Sequence, residues 1–205
     1  MGGNCENPQL GIMTEQLPVY ILAGGKSSRF GSDKAMIQFR GRPLISHIAQ
    51  TLRAKATSVT AVADVADKYQ ALGLRTIPDC VAGAGPIGGV LTAVEDCADQ
   101  RWLLVASCDL VGVDCNWVDL LMAGRREAAA VVAFKTDRWE PLFALYHTSI
   151  HKEVRRRVMS GQGTMWKLIE AVGAVAVEAP VGLRQVNTPG DLERFLEGGG
   201  SAACG

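Results

Sequence analysis

Between Leu22 and Lys34 the chain reads Leu22-Ala23-Gly24-Gly25-Lys26-Ser27-Ser28-Arg29-Phe30-Gly31-Ser32-Asp33-Lys34, residue types that suit a nucleoside triphosphate. Adjacent glycines place no Cβ between backbone and ligand, and successive backbone N–H groups in such a loop form a concavity for an anion. Arg29 and Lys34 add charge, Arg29 as a planar fork for phosphate oxygens and Lys34 as a mobile point charge. A glycine-rich turn with two solvated cations has the same composition, so a second feature is needed. Asp109 supplies it. Transfer at a triphosphate uses Mg²⁺, which one or two carboxylates hold together with phosphate oxygens. Asp109 closes the run Trp102-Leu103-Leu104-Val105-Ala106-Ser107-Cys108 and so stands at the carboxyl end of an expected strand, the alternative being a residue that caps the next loop or helix. Asp79 stands similarly after Leu74–Ile77, with an ordinary strand-end acid as its alternative. Two familiar phosphate loops are excluded. G-x-G-x-x-G fails because Gly25 directly follows Gly24, and G-x-x-x-x-G-K-[ST] fails because Lys34 lies three residues beyond Gly31 and is followed by Ala35.

These residues need a frame that brings them to one rim. Val19–Leu22, Val59–Ala63, Leu74–Ile77, Trp102–Ser107, Ala129–Phe134, Leu142–Tyr146 and Ala174–Val177 read as strands. Pro43–Ala54, Ile87–Cys97, Asn116–Ala123, Ser149–Met159, Met165–Val172 and Pro189–Leu196 read as helices. Alternation of the two, with several strands apolar throughout, implies an α/β sheet covered on both faces, a three-layer α/β/α arrangement. In such a sheet ligands bind outside the carboxyl ends of the strands, where the glycine loop, Asp79 and Asp109 all fall. Phe134–Pro141 joins two strand-like runs through a polar turn and reads as a hairpin, so the sheet is expected to be mixed and mostly parallel. Thr188-Pro189-Gly190-Asp191 is a capping-box variant that starts the last helix. Residues 17–197 are expected to form a single domain, with 1–16 and 198–205 as loose tails.

Bulk composition removes several function classes. Lysine plus arginine equals aspartate plus glutamate at 21 each, so no broad basic surface serves nucleic acid. No apolar run approaches the roughly 20 residues of a membrane helix, and the opening residues, lacking a basic, apolar, small-residue pattern, are not expected to be a signal peptide. The six cysteines contain no C-x-x-C pair, which fits reduced thiols and a cytoplasmic location. With three histidines and scattered cysteines, a zinc site is not expected.

Leu22-Ala23-Gly24-Gly25, Ser28-Arg29, Gly31 and Asp33-Lys34, followed by Gly41-Arg42-Pro43-Leu44, together resemble the signature of nucleotidyltransferases with a Rossmann-like mixed sheet. Within that superfamily the chain is most similar to the molybdenum cofactor guanylyltransferases, with gaps, from Val19 to about Leu196. The related cytidylyltransferases of this cofactor usually read Leu-Ala-Ala-Gly at the loop, so the second glycine here favours guanine. The resemblance implies transfer of GMP from GTP to the terminal phosphate of molybdenum-molybdopterin, with release of pyrophosphate. It implies nucleotide binding by Leu22, Ala23, Gly24, Gly25, Lys34, Asp79 and Asp109, with Mg²⁺ on Asp109. Arg29, Lys34 and Asp109 are the expected catalytic residues. Cofactor-insertion proteins and molybdoenzyme chaperones are the protein partners it suggests; neither nucleic acid nor membrane is expected.

Three stretches depart from the family pattern. Leu110-Val111 stands where Thr-Pro or Leu-Pro usually follows the Cys-Asp pair, leaving the rigidity behind Asp109 open. Val62 replaces a frequent asparagine, so that its nucleotide contact is lost or supplied by Asp64. Gln185-Val186-Asn187-Thr188-Pro189 matches the closing Asn-x-Asn-Thr-Pro motif with Gln185 for the first asparagine, leaving Asn187 as the expected contact to pterin phosphate or metal. Gly83-Ala84-Gly85-Pro86-Ile87-Gly88-Gly89 resembles the segment leading into a helix near the base, and Glu140–Tyr146 the family's Pro-Leu-x-Ala-Leu-Tyr strand, read as core. Arg155-Arg156-Arg157 points to different faces of a helix and reads as a solvated charge run. Other readings are a cytidylyltransferase of the same cofactor, a sugar-phosphate nucleotidyltransferase, or a non-catalytic GTP-binding handover protein.

Overall fold

β1 (Leu17–Leu22) is buried at every position, as a strand must be when it has neighbours on both sides and helices on both faces. The computed structural model describes residues 15–24, 33–186 and 188–197. Among these, β1 pairs in parallel with β4 (Ala56–Ala63) and with β6 (Trp102–Ser107). β4 pairs in parallel with β5 (Arg75–Pro78). Beyond β6 lie β9 (Trp139–His147), β8 (Val131–Lys135) and β10 (Val175–Glu178), giving the seven-stranded order β10-β8-β9-β6-β1-β4-β5. β9 is antiparallel to both its neighbours and β10 is parallel to β8. A mostly parallel mixed α/β sheet is therefore what the alternating pattern produces. The hairpin is tighter than the sequence suggests, because Trp139 and Glu140 already pair with Lys135 and Phe134. The register then shifts between Ala133 and Phe134, beside Pro141, which has no N–H for the ladder.

Period-two alternation divides the strands between two cores. Val19, Ile21, Ala61, Leu104, Val132 and Phe143 face α1 (Leu44–Leu52) and α3 (Asn116–Ala123), against Ile45, Ile48, Trp117 and Leu121. Phe134 and Phe143 stack with centroids 5.9 Å apart, and the edge of Trp117 meets both rings. On the other face Tyr20, Leu22, Val62, Leu103 and Val105 pack on α2 (Pro86–Asp96), while α4 (His151–Met159) and α5 (Met165–Ala171) complete that layer with Val154, Val158, Leu168 and Ile169.

Helix boundaries shift where capping or pairing intervenes. α1 begins at Leu44 rather than Pro43, because Pro43 belongs to a ribbon of β2 (Gln38–Phe39) and β3 (Arg42–Pro43). Arg40 and Gly41 turn that ribbon with φ of 48° and 77°, the two positive values of a tight hairpin turn. The residues after Leu52 tighten into a one-turn 3-10 helix, Arg53–Lys55. A second ribbon joins β7 (Leu110–Val111) to β11 (Arg184–Gln185), and α6 (Pro189–Glu197) follows. Thr188 and Asp191 cap it reciprocally, at 2.8 and 3.2 Å, as the capping-box reading requires. Phe39, Leu44, Val111 and Val186 form a third small core, against which Leu192 and Phe195 pack. Among the described residues no helix is long and apolar enough to cross a membrane.

Candidate active site

Parallel pairing carries the backbone ladder one residue past the carboxyl ends of β1, β5 and β6. Ala23 N–H donates to the Val62 carbonyl at 2.9 Å, Cys108 N–H to Leu22 at 3.1 Å, and Asp79 N–H to Ala63 at 2.7 Å. These bonds hold Ala23, Asp79 and Cys108 in place on one rim, with Gly24 and Asp109 directly after the first and last. Gly24 lies so close to Asp79 that an added Cβ would stand 3.3 Å from its Oδ2. Burial pushes the Asp79 carboxyl above the ordinary range, against the hydrogen bond from Thr92 Oγ1.

Lys34 reaches this rim from the other end of the loop. Asp33 caps the one-turn 3-10 helix Lys34–Met36 by accepting from Ala35 N–H at 3.0 Å. From that turn Lys34 Nζ meets Asp109 Oδ2 at 2.5 Å, with both side chains about six-sevenths buried (15% and 14% exposed). Asp109 Oδ1 is buried and has no hydrogen-bond partner among the described residues. A buried carboxylate oxygen left unpaired is costly, and it is the donor type a hard divalent cation takes.

The backbone behind Asp109 is braced by the second ribbon. Val186 N–H donates to the Asp109 carbonyl at 2.9 Å, and Leu110 and Val111, both buried, pair with Gln185 and Arg184. Leu110-Val111, in place of a proline turn, thus acquires its rigidity from strand pairing. Gln185 Nε2 donates to both carboxylate oxygens of Glu140 at 3.2 Å, and Leu142 N–H donates to one of them. Burial pushes Glu140 above the usual carboxylate range, and the charge of Asp109 acts in the same direction.

Leu22, Ala23, Gly24, Lys34, Asp79 and Asp109 are therefore brought to the same end of β1, β5 and β6. Gly25, Arg29 and Asn187 lie outside the described residues, as do residues 1–14 and 198–205. Val62 is 1% exposed and belongs to the core, so its side chain is no rim contact. Asp64 stays at the rim, with its carboxylate held by Lys68 at 2.7 Å. The arginine run is taken up in ion pairs: Arg155 with Glu95, and Arg156 and Arg157 with Glu153. Arg157 is buried rather than solvated, because the helix turns its neighbours outward but lays it against the protein. Cys108 adjoins Asp109, but burial pushes its thiol up to about 12, so it stays protonated and is no nucleophile. Two residues escaped the sequence reading. Glu140 was hidden in an apolar strand motif, where an acid before Pro141 was its signal. Tyr69 approaches the loop from a connection with no motif of its own.

Such a rim can hold a polyphosphate between loop backbone and ammonium, with a carboxylate ready for a cation. Among the described residues no group of three or more His, Cys, Asp or Glu is arranged to bind a metal.

Residues 19–177 match the MobA-like NTP transferase domain. The "Probable molybdenum cofactor guanylyltransferase" of Aquifex aeolicus (strain VF5) is 28% identical over 190 residues, 91% of this chain and 93% of that one. The "Molybdenum cofactor guanylyltransferase" of Yersinia pestis (strain Pestoides F) is 28% identical over 180 residues, 84% and 91% of the two chains. In fold, the chain is similar to the crystal structure of molybdopterin-guanine dinucleotide biosynthesis protein A from Archaeoglobus fulgidus. That TM-score is 0.73 at 24% identity, over 88% of this chain and 97% of the other. The chain belongs to the MobA-like NTP transferase family and is a nucleotidyltransferase.

Proposed function

We propose that this enzyme transfers GMP from GTP to the terminal phosphate of molybdenum-molybdopterin, forming the guanine dinucleotide cofactor and pyrophosphate. The observation that carries the reading is the Lys34–Asp109 pair at the rim where β1 and β6 end. It sets an ammonium beside a carboxylate with one oxygen that no described residue engages, on the rim where the glycine loop leaves β1. Guanine and molybdopterin come from the relatives' names and the two-glycine loop.

A phosphate monoester is already an anionic nucleophile. Its oxygen attacks the α-phosphorus in line, a new P–O bond forms, and the bond to the β-phosphate oxygen breaks with its electrons leaving on pyrophosphate. No side chain has to be activated as a nucleophile. The chain's part is positioning and charge neutralisation. Loop amides from Gly24 onward bind phosphate oxygens, Lys34 and Arg29 bind the β- and γ-phosphates, and Asp79 faces the nucleotide. Asp109 would hold Mg²⁺ through the oxygen that no protein donor engages, the other ligands being triphosphate oxygens. When bound, that ion neutralises charge on the triphosphate as it builds on the leaving group. Asn187, one residue beyond the Val186–Asp109 bond, orients the acceptor phosphate.

The test is pyrophosphate release with Mg²⁺ and molybdenum-loaded molybdopterin, with GTP or CTP as donor. Turnover with GTP is expected. Turnover with CTP alone reassigns the base, and turnover with a sugar phosphate in place of molybdopterin reassigns the acceptor. Release with no combination overturns the proposal.

A further inference from the structure

Tyr69 has no part in the reading above, yet it touches both ends of the nucleotide loop. It lies in the connection between β4 and β5 and is 1% exposed. Its backbone is tied to β5 and the residue before it: its N–H donates to Thr76 Oγ1 at 3.2 Å, and its carbonyl accepts from Leu74 N–H at 3.3 Å. From that fixed base the hydroxyl donates to Asp33 Oδ2 at 2.9 Å and stands 3.5 Å from the Ala23 carbonyl oxygen. Ala23 precedes the loop glycines and Asp33 precedes Lys34. The other carboxylate oxygen of Asp33 caps the turn from which Lys34 reaches Asp109.

We propose that Tyr69 is a positioning residue of the nucleotide site: its hydroxyl fixes Asp33, and Asp33 fixes the turn that presents Lys34 beside Asp109. A phenylalanine would fill the same volume, so packing alone does not call for the hydroxyl. Its partner is a carboxylate, and a hydrogen bond to a charged acceptor is stronger and more directional than a neutral one. Burial and the neighbouring Asp33 both raise the phenol's pKa, which keeps it a donor throughout the working pH range. Lys68 also reaches Asp33 Oδ2, at 3.0 Å, but it is shared with Asp64 and more exposed. Its four-carbon stem makes it a looser fixture than a ring held in the core. The value of this placement rests on the nucleotidyl-transfer reading; the placement itself can be measured without nucleotide.

Tyr69→Phe in the full chain is the test, with two readouts. In amide hydrogen exchange without nucleotide, residues 33–36 should exchange about tenfold faster while the β5 amides keep their protection. In pyrophosphate release, kcat/KM for GTP should fall about tenfold, with KM for the molybdopterin acceptor changed by less than about twofold. Asp33→Ala should show the same loss, and adding Tyr69→Phe to it should cost nothing further, since the two act through one bond. Unchanged exchange at 33–36, or an equal loss from Tyr69→Phe in the Asp33→Ala background, overturns the proposal. A wild-type chain that releases no pyrophosphate sinks the transferase substrate assignment instead, and the exchange result still decides the role of Tyr69.

Discussion

At the scale of single residues, two carboxylates of the same rim are in opposite situations. Asp109 is engaged on one oxygen by Lys34 at 2.5 Å and, among the described residues, unengaged on the other, while both oxygens of Glu140 accept bonds from neutral donors. Lys34→Ala and Asp109→Ala should each lower kcat at least about a hundredfold, the scale for removing a charge that stabilises a transition state. Circular dichroism of each variant should remain that of the wild type, because neither side chain lies in the two large cores. Normal turnover in either variant would remove that residue from the mechanism. Glu140 makes a different prediction. Its folded pKa is raised above 4.5 by burial, so the folded state binds the proton more tightly than the unfolded state. That contribution to stability is complete below 4.5 and is lost as the pH rises through the raised value. Glu140→Gln lacks this loss. At neutral pH its Tm should exceed the wild type's by about 2–4 °C, and the gap should close as the pH falls toward 4.5. Thermal scans across that range check the sign; a gap that widens on acidification contradicts it.

At the scale of elements, the closing segment couples pieces that are distant in sequence. β11 pairs with β7, Val186 bonds to the Asp109 carbonyl, and α6 places Phe195 against Phe39, with ring centroids 5.7 Å apart. Phe195 also lies over Gly112, where an added Cβ would come within 3.1 Å of its ring. The helix thus leans on the ribbon behind Asp109 and on the turn that leads into α1. Loss of the threonine cap in Thr188→Ala should destabilise by about 1 kcal/mol, a fall in Tm of roughly 2–4 °C. Phe195→Ala removes a half-buried ring and should cost about 2 kcal/mol, toward the lower end for large-to-small changes. Denaturant unfolding measures both. If α6 braces the site, Phe195→Ala also raises KM for the acceptor, whereas an unchanged KM confines its role to stability.

At the scale of the whole molecule, one central sheet serves both cores and the rim, so ligand binding at the rim should register as global stability. Saturating GTP with Mg²⁺ at about a hundred times Kd adds roughly 2.7 kcal/mol, a rise in Tm of about 5–11 °C for a chain of this size. Excess EDTA should remove most of that rise. Asp109→Ala should abolish the difference between GTP with Mg²⁺ and GTP with EDTA if Asp109 is the carboxylate that joins metal to protein. A rise that is indifferent to EDTA in the wild type would show that nucleotide binding does not use the metal. The net charge of zero gives no long-range attraction for anions, so binding rests on these local groups.

Much of this was legible in the chain because it is set by neighbours in sequence. Strand and helix periods and the capping pair Thr188–Asp191 act over a few positions, where backbone geometry and solvation decide the outcome. The placement of Asp79 and Asp109 at strand ends could be read the same way, since a polar residue closing an apolar run marks where burial stops. Contacts between distant segments could not. Tyr69 beneath Asp33, Gln185 on Glu140 and Phe195 on Phe39 join residues 36, 45 and 156 positions apart, and nothing in their local sequence names the partner. Leu110-Val111 shows the difference most clearly. By sequence it is a missing proline and a doubtful turn; in the fold it is half of a ribbon whose other strand arrives more than 70 residues later. Composition and local order determined an α/β sheet with a glycine-rich loop and two strand-end acids on one rim. Tertiary packing decided what holds Lys34 and Asp109 together on it, because only the closed sheet brings β1, β6 and the last segment within hydrogen-bonding distance.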